Sequence, residues 1–187
     1  MLLVTALSAA PVAAAPETAS DHSLTTLVQG LATADNEAMA FEETRPSRLL
    51  AEPLTVSGIL YRDDQRLVRE TTSPRSETQI LSEDHFEVRR PGGFRQRFSL
   101  GRAPELAALR QALLAMLDGD VDRLDSHFSH DLNWDDEVWT LTLRPVDTAM
   151  AERIDQLTLS GHAQQLESMT LILADGDRIH TRFLGQP

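Results

Sequence analysis

The sequence predicts an α+β fold, mainly antiparallel β, in which a curved sheet carries a helical cover. Most of the chain from Phe41 to Phe183 alternates apolar and polar residues with a period of two, as at residues 54–61 and 139–144. This alternation is typical of strands with one buried face. Turn residues separate the alternating runs, and one long amphipathic helix interrupts them.

The first predicted element is a short helix that begins near Asp21 or Ser23. Its apolar residues recur at i, i+3, i+4 and i+7, which places them on one helix face: Leu24, Leu27, Val28 and Leu31. Gly30 lies inside this helix and costs about 1 kcal/mol relative to alanine. The helix therefore depends on tertiary packing.

Six strands are predicted next, at residues 37–45, 54–62, 66–72, 77–82, 85–90 and 94–100. Gly58 has no side chain, and inside a strand it predicts a bend or a bulge where the sheet curls. Short polar turns and the tripeptide Pro91-Gly92-Gly93 connect these strands. This part of the chain is thus expected to be a meander of hairpins.

A long helix is predicted at residues 104–117, because Pro104 stands at a first-turn position and Gly119 follows the last turn. Its apolar stripe is wide and contains Leu106, Leu109, Leu113, Leu114, Met116 and Leu117. A second short helix is expected at residues 120–125.

Five further strands are predicted at residues 128–134, 138–144, 156–160, 168–174 and 178–184, with turns at Asp135-Asp136, Gly161 and Asp175-Gly176-Asp177. The total of about eleven antiparallel strands exceeds the roughly ten that an open sheet sustains before it curls or closes. A strongly curved sheet has a concave face. We expect the apolar stripe of the long helix to fill it.

The N-terminal segment predicts export. Residues 2–15 are apolar or small, end in Val12-Ala13-Ala14-Ala15, and are shorter than the ~20 apolar residues of a membrane-spanning helix. We interpret residues 1–14 as a cleaved signal peptide and residues 15–187 as a single domain.

Composition excludes several classes of function. The chain has no cysteine, so disulfides, thiol nucleophiles and thiolate metal sites are excluded. Its net charge is -12, and nucleic acid binding requires a field of the opposite sign. The acidity either limits adhesion to anionic membranes, within a Debye length of ~8 Å, or serves solubility alone.

Candidate catalytic and metal-binding residues are few. His127 and His130 lie among aspartates, but on a strand residues three apart point to opposite faces, so the pair does not favour one shared ion. Residues 118–122 resemble the start of a calcium loop, yet Arg123 stands where the glycine belongs. No serine lies in a Gly-x-Ser-x-Gly motif. We therefore expect no enzyme activity, no cofactor and no metal.

An arginine cluster stands out from the acidic chain and consists of Arg89, Arg90, Arg95, Arg97 and Arg102. One interpretation is docking of an acidic partner or a lipid head group. The favoured alternative is pairing with Glu and Asp on adjacent hairpins.

Taken together, the motifs and their order resemble the LolA family of periplasmic lipoprotein carriers, and most closely the LolA-related subgroup. The resemblance covers nearly the whole chain after the leader and rests on Phe41-Glu-Glu-Thr-Arg-Pro, Pro53-Leu-Thr-Val-Ser-Gly-Ile-Leu-Tyr61, Arg66-Leu-Val-Arg69, Pro104-Glu-Leu-Ala-Ala-Leu109, Leu117-Asp-Gly-Asp120, Trp139-Thr-Leu-Thr-Leu143 and Asp175-Gly-Asp177. It implies a half-open antiparallel barrel whose apolar concave face is covered by helices and receives acyl chains.

One motif departs from the family pattern. In LolA proteins an arginine directly before a proline, shortly after the Gly-x-Leu strand, helps to hold the lid. Here Arg62 stands near that place and is followed by Asp63-Asp64-Gln65. The missing proline favours a cargo other than a lipoprotein. The resemblance to the LolA-related subgroup implies a polyene pigment or another envelope lipid, together with an inner-membrane exporter.

The sequence and the resemblance predict a periplasmic carrier, a monomer in transient contact with membranes. It binds the acyl or polyene chain of a lipid or lipid-linked molecule, or else the acyl chains of a lipoprotein, and shuttles this cargo from the inner membrane to an outer-membrane acceptor. The alternative is a lipid-sensing or envelope interaction module that does not transport. The alternating pattern is equally typical of inward residues that line a cavity and of inward residues that form a solid core. The predicted cavity and lid residues are Leu54, Val56, Leu60, Phe86, Val88, Phe94, Phe98, Leu106, Leu109, Leu113, Met116, Trp139, Leu141, Leu143, Leu157, Leu159, Met169 and Leu171.

Overall fold

The computed structural model describes residues 22–34, 38–45 and 53–185. The signal peptide predicted at residues 1–14 lies outside these ranges. The described residues contain eleven strands: β1 (Ala38–Arg45), β2 (Leu54–Asp63), β3 (Arg66–Ser73), β4 (Glu77–Leu81), β5 (His85–Arg90), β6 (Phe94–Ser99), β7 (Phe128–Asp135), β8 (Val138–Pro145), β9 (Ile154–His162), β10 (Gln165–Leu173) and β11 (Arg178–Phe183).

The helices form the second layer. They are α1 (Leu24–Thr33), α2 (Pro104–Asp118), α3 (Val121–His127) and the short α4 (Thr148–Ala151). Ser23 caps α1 by accepting a hydrogen bond from the amide of Thr26, and Gly119 ends α2 with a positive φ of 71°. The sequence predicted these two helix ends. It did not predict α4 or the 3-10 turn at Leu100–Arg102.

All eleven strands belong to one antiparallel sheet in the order β6-β5-β4-β3-β2-β1-β11-β10-β9-β8-β7. The first and last strands meet in its middle, where β1 pairs with β11 and Phe41 lies opposite Phe183. Strands β6 and β7 are therefore the two edges. This topology confirms the α+β prediction of a mainly antiparallel, open, LolA-like barrel of eleven strands.

The position of the helical cover follows from this strand order. Residues 100–127 connect β6 to β7, so the segment that contains α2 and α3 links one edge of the sheet to the other. Helix α1 also packs against α2. One apolar cluster joins buried residues of α1, α2 and α3 to the inward residues of the strands.

Two glycines inside the sheet allow neighbouring atoms to lie close to the backbone, where a side chain would clash with them. Gly58 lies at a bulge between β2 and β3, and a Cβ atom there would lie 1.9 Å from the carbonyl oxygen of Glu70. The predicted irregularity at Gly58 is confirmed. The predicted turn at Gly161 is wrong. This residue lies inside β9, where a Cβ atom would lie 2.5 Å from Cζ2 of Trp139, and the turn falls at residues 163–164 instead.

Candidate ligand cavity

A cavity of about 300 Å³ lies between the concave face of the sheet and helix α2. Strands β1, β3, β4, β10 and β11 contribute most of its wall, and the helix contributes the cover. The volume stands at the lower end of the roughly 300–1,000 Å³ that small-molecule sites occupy. Its wall residues are mostly apolar: Phe41, Leu60, Leu67, Leu81, Leu106, Leu109, Leu113, Met169, Leu171, Leu173, Ile179 and Phe183, with Glu43, Arg45, Arg69, Gln79, Glu105 and Thr181.

Nine of the eighteen predicted residues line this cavity or a cavity next to it. Those on the main cavity are Leu60, Leu106, Leu109, Leu113, Met169 and Leu171. Met116 lines a second cavity of about 20 Å³, which Leu60, Leu67 and Leu113 share with the first. Leu54 and Val56 line an open groove at the opposite end. The structure thus brings the predicted lid stripe and the inward strand residues together.

The other nine residues lie elsewhere. Five are fully buried in the apolar cluster on β8 and β9, outside the lining of the main cavity: Trp139, Leu141, Leu143, Leu157 and Leu159. Phe86 and Val88 lie on β5, outside the cavity lining. Phe94 and Phe98 are 44% and 42% exposed, because they lie on edge strand β6, which is exposed along its length.

A polar cluster forms one end of the main cavity, and the sequence did not predict it. Glu43 is only 6% exposed. Its carboxylate accepts hydrogen bonds from Nε of Arg45 at 2.5 Å and from Oγ1 of Thr181 at 3.2 Å. The sequence contained an indication of this cluster: Glu43 lies two residues after Phe41, and residues two apart on a strand point to the same face.

Arg69 belongs to the same cluster and is partly sequestered from water. Its side chain is 13% exposed, and its guanidinium lies over the ring of Phe41, 4.3 Å from the centroid. Nη2 lies 3.1 Å from Oε1 of Glu43, and Nη1 donates to Gln79 at 3.3 Å. Burial lowers the pKa of Arg69, although the carboxylate of Glu43 opposes this effect.

The β2–β3 hairpin holds helix α2 at two points. Nη1 of Arg62 lies 2.5 Å from Oδ1 of Asp118, the last residue of the helix. Nη2 of the buried Arg110, in the middle of the helix, donates to the carbonyl of Gln65 at 2.8 Å. Arg62 is the residue that the family resemblance placed near a lid latch. It contacts the lid here without a following proline.

The arginine cluster on β5 and β6 pairs largely with two carboxylates. Arg89, Arg95 and Arg97 all contact Glu87, which is 1% exposed, with Nη2 of Arg95 at 2.8 Å and Nη2 of Arg97 at 3.0 Å from Oε2. Arg90 contacts Glu77 at 2.6 Å. The favoured prediction of pairing with acidic residues across strands is confirmed for Arg90, Arg95 and Arg97, whereas Arg89 pairs with Glu87 of its own strand, β5.

The candidate histidines make local contacts. Nδ1 of His130 lies 2.9 Å from Oδ1 of Asp125, and the ring of His127 packs edge-on against Phe128. Within residues 22–34, 38–45 and 53–185, no three His, Asp or Glu side chains gather as candidate metal ligands. In the same part of the chain, no helix combines the length and apolarity needed to span a bilayer.

Comparison with known proteins identifies one family. A family model described as outer membrane lipoprotein carrier protein LolA-like matches residues 13–186. Similar solved structures include a LolA superfamily protein from Nitrosomonas europaea, with 10% identity, a TM-score of 0.40 and coverage of 87% of this chain and 94% of that one. LprF from Mycobacterium bovis has 12% identity, a TM-score of 0.36 and coverage of 87% and 90%. MucB in complex with MucA(peri) has 14% identity, a TM-score of 0.40 and coverage of 85% and 53%. No curated protein matches the chain significantly.

Proposed function

Because the chain belongs to the family of LolA-like outer membrane lipoprotein carrier proteins, we propose that it is a periplasmic carrier, not an enzyme, that binds the acyl or polyene chain of a lipid. It would take this cargo from the inner membrane and deliver it to the outer membrane. The single observation that carries the proposal is the apolar cavity of about 300 Å³ under helix α2.

Energetics explain why such a carrier needs a movable lid. Burial of an acyl chain yields ~0.8 kcal/mol per CH₂, so about a dozen methylenes yield roughly 10 kcal/mol, which corresponds to a Kd well below micromolar. Cargo held this tightly is released slowly. A competing apolar group that occupies the same surface in the empty protein offsets part of this free energy.

Helix α2 can provide that competition. Leu106, Leu109 and Leu113 face the main cavity from the helix, and Leu113 is buried in the apolar cluster. In the proposed cycle these side chains cover the concave face when it is empty, and they move aside when a chain enters. Cargo and lid then compete for one apolar surface.

The proposed cargo is a lipid or a lipid-linked polyene, because the proline that follows the lid arginine in LolA proteins is absent here. An inner-membrane exporter would be the donor and an outer-membrane component the acceptor. We propose that the carrier is a monomer, and that its net charge of -12 restricts it to transient contact with anionic membranes.

A matched pair of substitutions tests this function. Ile179 lines the cavity from β11, whereas Ile172 lies on neighbouring β10, paired with Arg178, and outside the cavity lining. We expect Ile179→Phe to fill part of the cavity and to weaken binding of a fluorescent fatty acid about fifteen-fold, since the loss of two buried methylenes costs about 1.6 kcal/mol. Ile172→Phe should bind like the wild type.

Thermal unfolding of both variants shows whether the fold is intact. If Ile179→Phe unfolds like the wild type and binds the fatty acid equally well, the cavity is not the binding site. If the wild type binds no fatty acid at all, the carrier function is wrong.

A further inference from the structure

The main cavity opens at one end into a groove of about 550 Å³ that is rich in arginine. Arg45, Arg69 and Gln79 line both volumes, so the two adjoin. Arg75 and Arg90 complete the set of four arginines on the groove. The two adjoining volumes thus have an apolar end under the lid helix and a cationic end outside it.

The pairing register of the strands produces this polarity. On β1 the inward residues run from Phe41 through Glu43 to Arg45, and on β3 they run from Leu67 to Arg69. Strand β4 is antiparallel to β3 and places Gln79 opposite Arg69 and Leu81 opposite Leu67. Apolar inward residues therefore share one end of these strands, and polar or charged residues share the other.

The groove carries a positive charge in an otherwise acidic protein. The groove is lined by four arginines and one carboxylate, that of Glu77, and the cavity adds Glu43 at the junction and Glu105 on helix α2, which leaves a net charge of +1 for the two volumes together. The whole chain has a net charge of -12. Arg75 is exposed and makes no ion pair with another described residue. A local positive field of this kind favours an anion.

Arg69 is held at the junction with part of its hydrogen-bonding capacity unused. A guanidinium has five N–H donors. Nη2 is buried, lies 3.1 Å from Oε1 of Glu43 as an ion pair, and makes no hydrogen bond within the described part of the chain. The bond from Nη1 to Gln79 is long, at 3.3 Å. An anionic acceptor in the groove would give this buried group the hydrogen bond that its ion pair with Glu43 lacks.

We propose that the cargo is an anionic amphiphile whose phosphate or carboxylate head group binds Arg69, Arg75 and their neighbours while its chain lies in the apolar cavity. Arginine suits this role because its planar donors match carboxylate and phosphate oxygens. This inference rests on the proposed function. It adds that a neutral lipid of equal chain length binds less tightly.

The test compares two ligands with the same chain. Dodecyl phosphate is anionic and dodecanol is neutral, and both can displace a polarity-sensitive dye from the purified full-length protein. We expect dodecyl phosphate to bind at least ten-fold more tightly, and this preference to shrink as salt is added. Inorganic phosphate alone should compete only in the millimolar range. A phosphate affinity equal to that of dodecyl phosphate would assign the groove to free anions instead.

Substitutions then locate the head group. Arg75→Gln changes an exposed side chain, and Arg69→Gln removes the guanidinium at the junction. Each should weaken binding of dodecyl phosphate several-fold to ten-fold, and Arg75→Gln, which lies outside the lining of the main cavity, should leave dodecanol binding within about two-fold of the wild type. Arg153→Gln, an exposed arginine in the turn before β9, is the matched control and should change neither affinity.

The outcomes separate the two hypotheses. If dodecyl phosphate and dodecanol bind equally well, or if Arg75→Gln and Arg69→Gln both retain the full preference, the anionic head group is excluded and the carrier function stands. If the wild type binds neither ligand, the carrier function itself fails.

Discussion

Glu87 is the residue that organises the arginines on the β5–β6 hairpin. Hydrogen bonds from Arg95, then Arg89 and Arg97, lower the pKa of Glu87 from 4.5 to about 2, although its burial opposes this shift. Because the folded-state pKa lies below the unfolded one, ionised Glu87 stabilises the fold fully above pH 4.5. This stabilisation is lost as the pH falls from 4.5 through about 2.

We predict that Glu87→Gln lowers the free energy of unfolding at neutral pH, and that the difference from the wild type shrinks between pH 4.5 and 2. Urea unfolding across this range measures the effect. Glu152→Gln, at an exposed position outside the hairpin, reports the general effect of removing a carboxylate. A difference for Glu87→Gln that stays constant with pH would contradict the role of the three arginines.

Individual residues also show what the sequence could and could not reveal. The clustering of arginines in an acidic chain predicted that they pair with acidic residues on adjacent hairpins. Only the register, which places Glu87 opposite Arg97, identifies the partner. Glu43 and Arg69 stand at inward positions, but the sequence alone does not show that they meet, since β2 separates their strands.

At the scale of elements, hydrophobic periodicity predicted the strands and the long helix to within a few residues. It failed at Gly161, because a glycine required for close packing under Trp139 has the same sequence signal as a turn. It also missed α4, whose single turn is too short to show a period. The hairpin contact to helix α2 became visible only in three dimensions, since 56 positions separate Arg62 from Asp118.

We predict that Arg62→Ala releases the C-terminal end of α2 and favours the open lid. The ion pair is partly exposed, so its loss should cost the closed state at most about 1 kcal/mol and tighten apparent fatty-acid affinity by up to about five-fold. Arg66→Ala is the matched control, because Arg66 pairs with Asp63 on the same hairpin at the same distance of 2.5 Å without contacting the helix. Binding titrations measure both variants.

Unchanged or weaker binding by Arg62→Ala, with Arg66→Ala like the wild type, would show that this ion pair does not hold the lid closed.

At the scale of the whole molecule, the strand order explains why helices cover the concave face of the sheet. The chain leaves the sheet at one edge and returns at the other, so its longest connection is available to cover the concave face. The curvature was predictable from the number of strands. The cavity was not, because the same inward leucines form a dense core beside β8 and β9 and an open volume beside β1 and β11.

The central claim is that cargo and helix α2 compete for one apolar surface. Hydrogen exchange of the α2 amides at residues 106–117 tests it most directly, measured in the empty protein and with a dodecyl chain bound as dodecyl phosphate or dodecanol. We predict faster exchange in α2 when the chain is bound, while β8 and β9 keep their protection. Equal or slower exchange in α2 at saturation would contradict the claim.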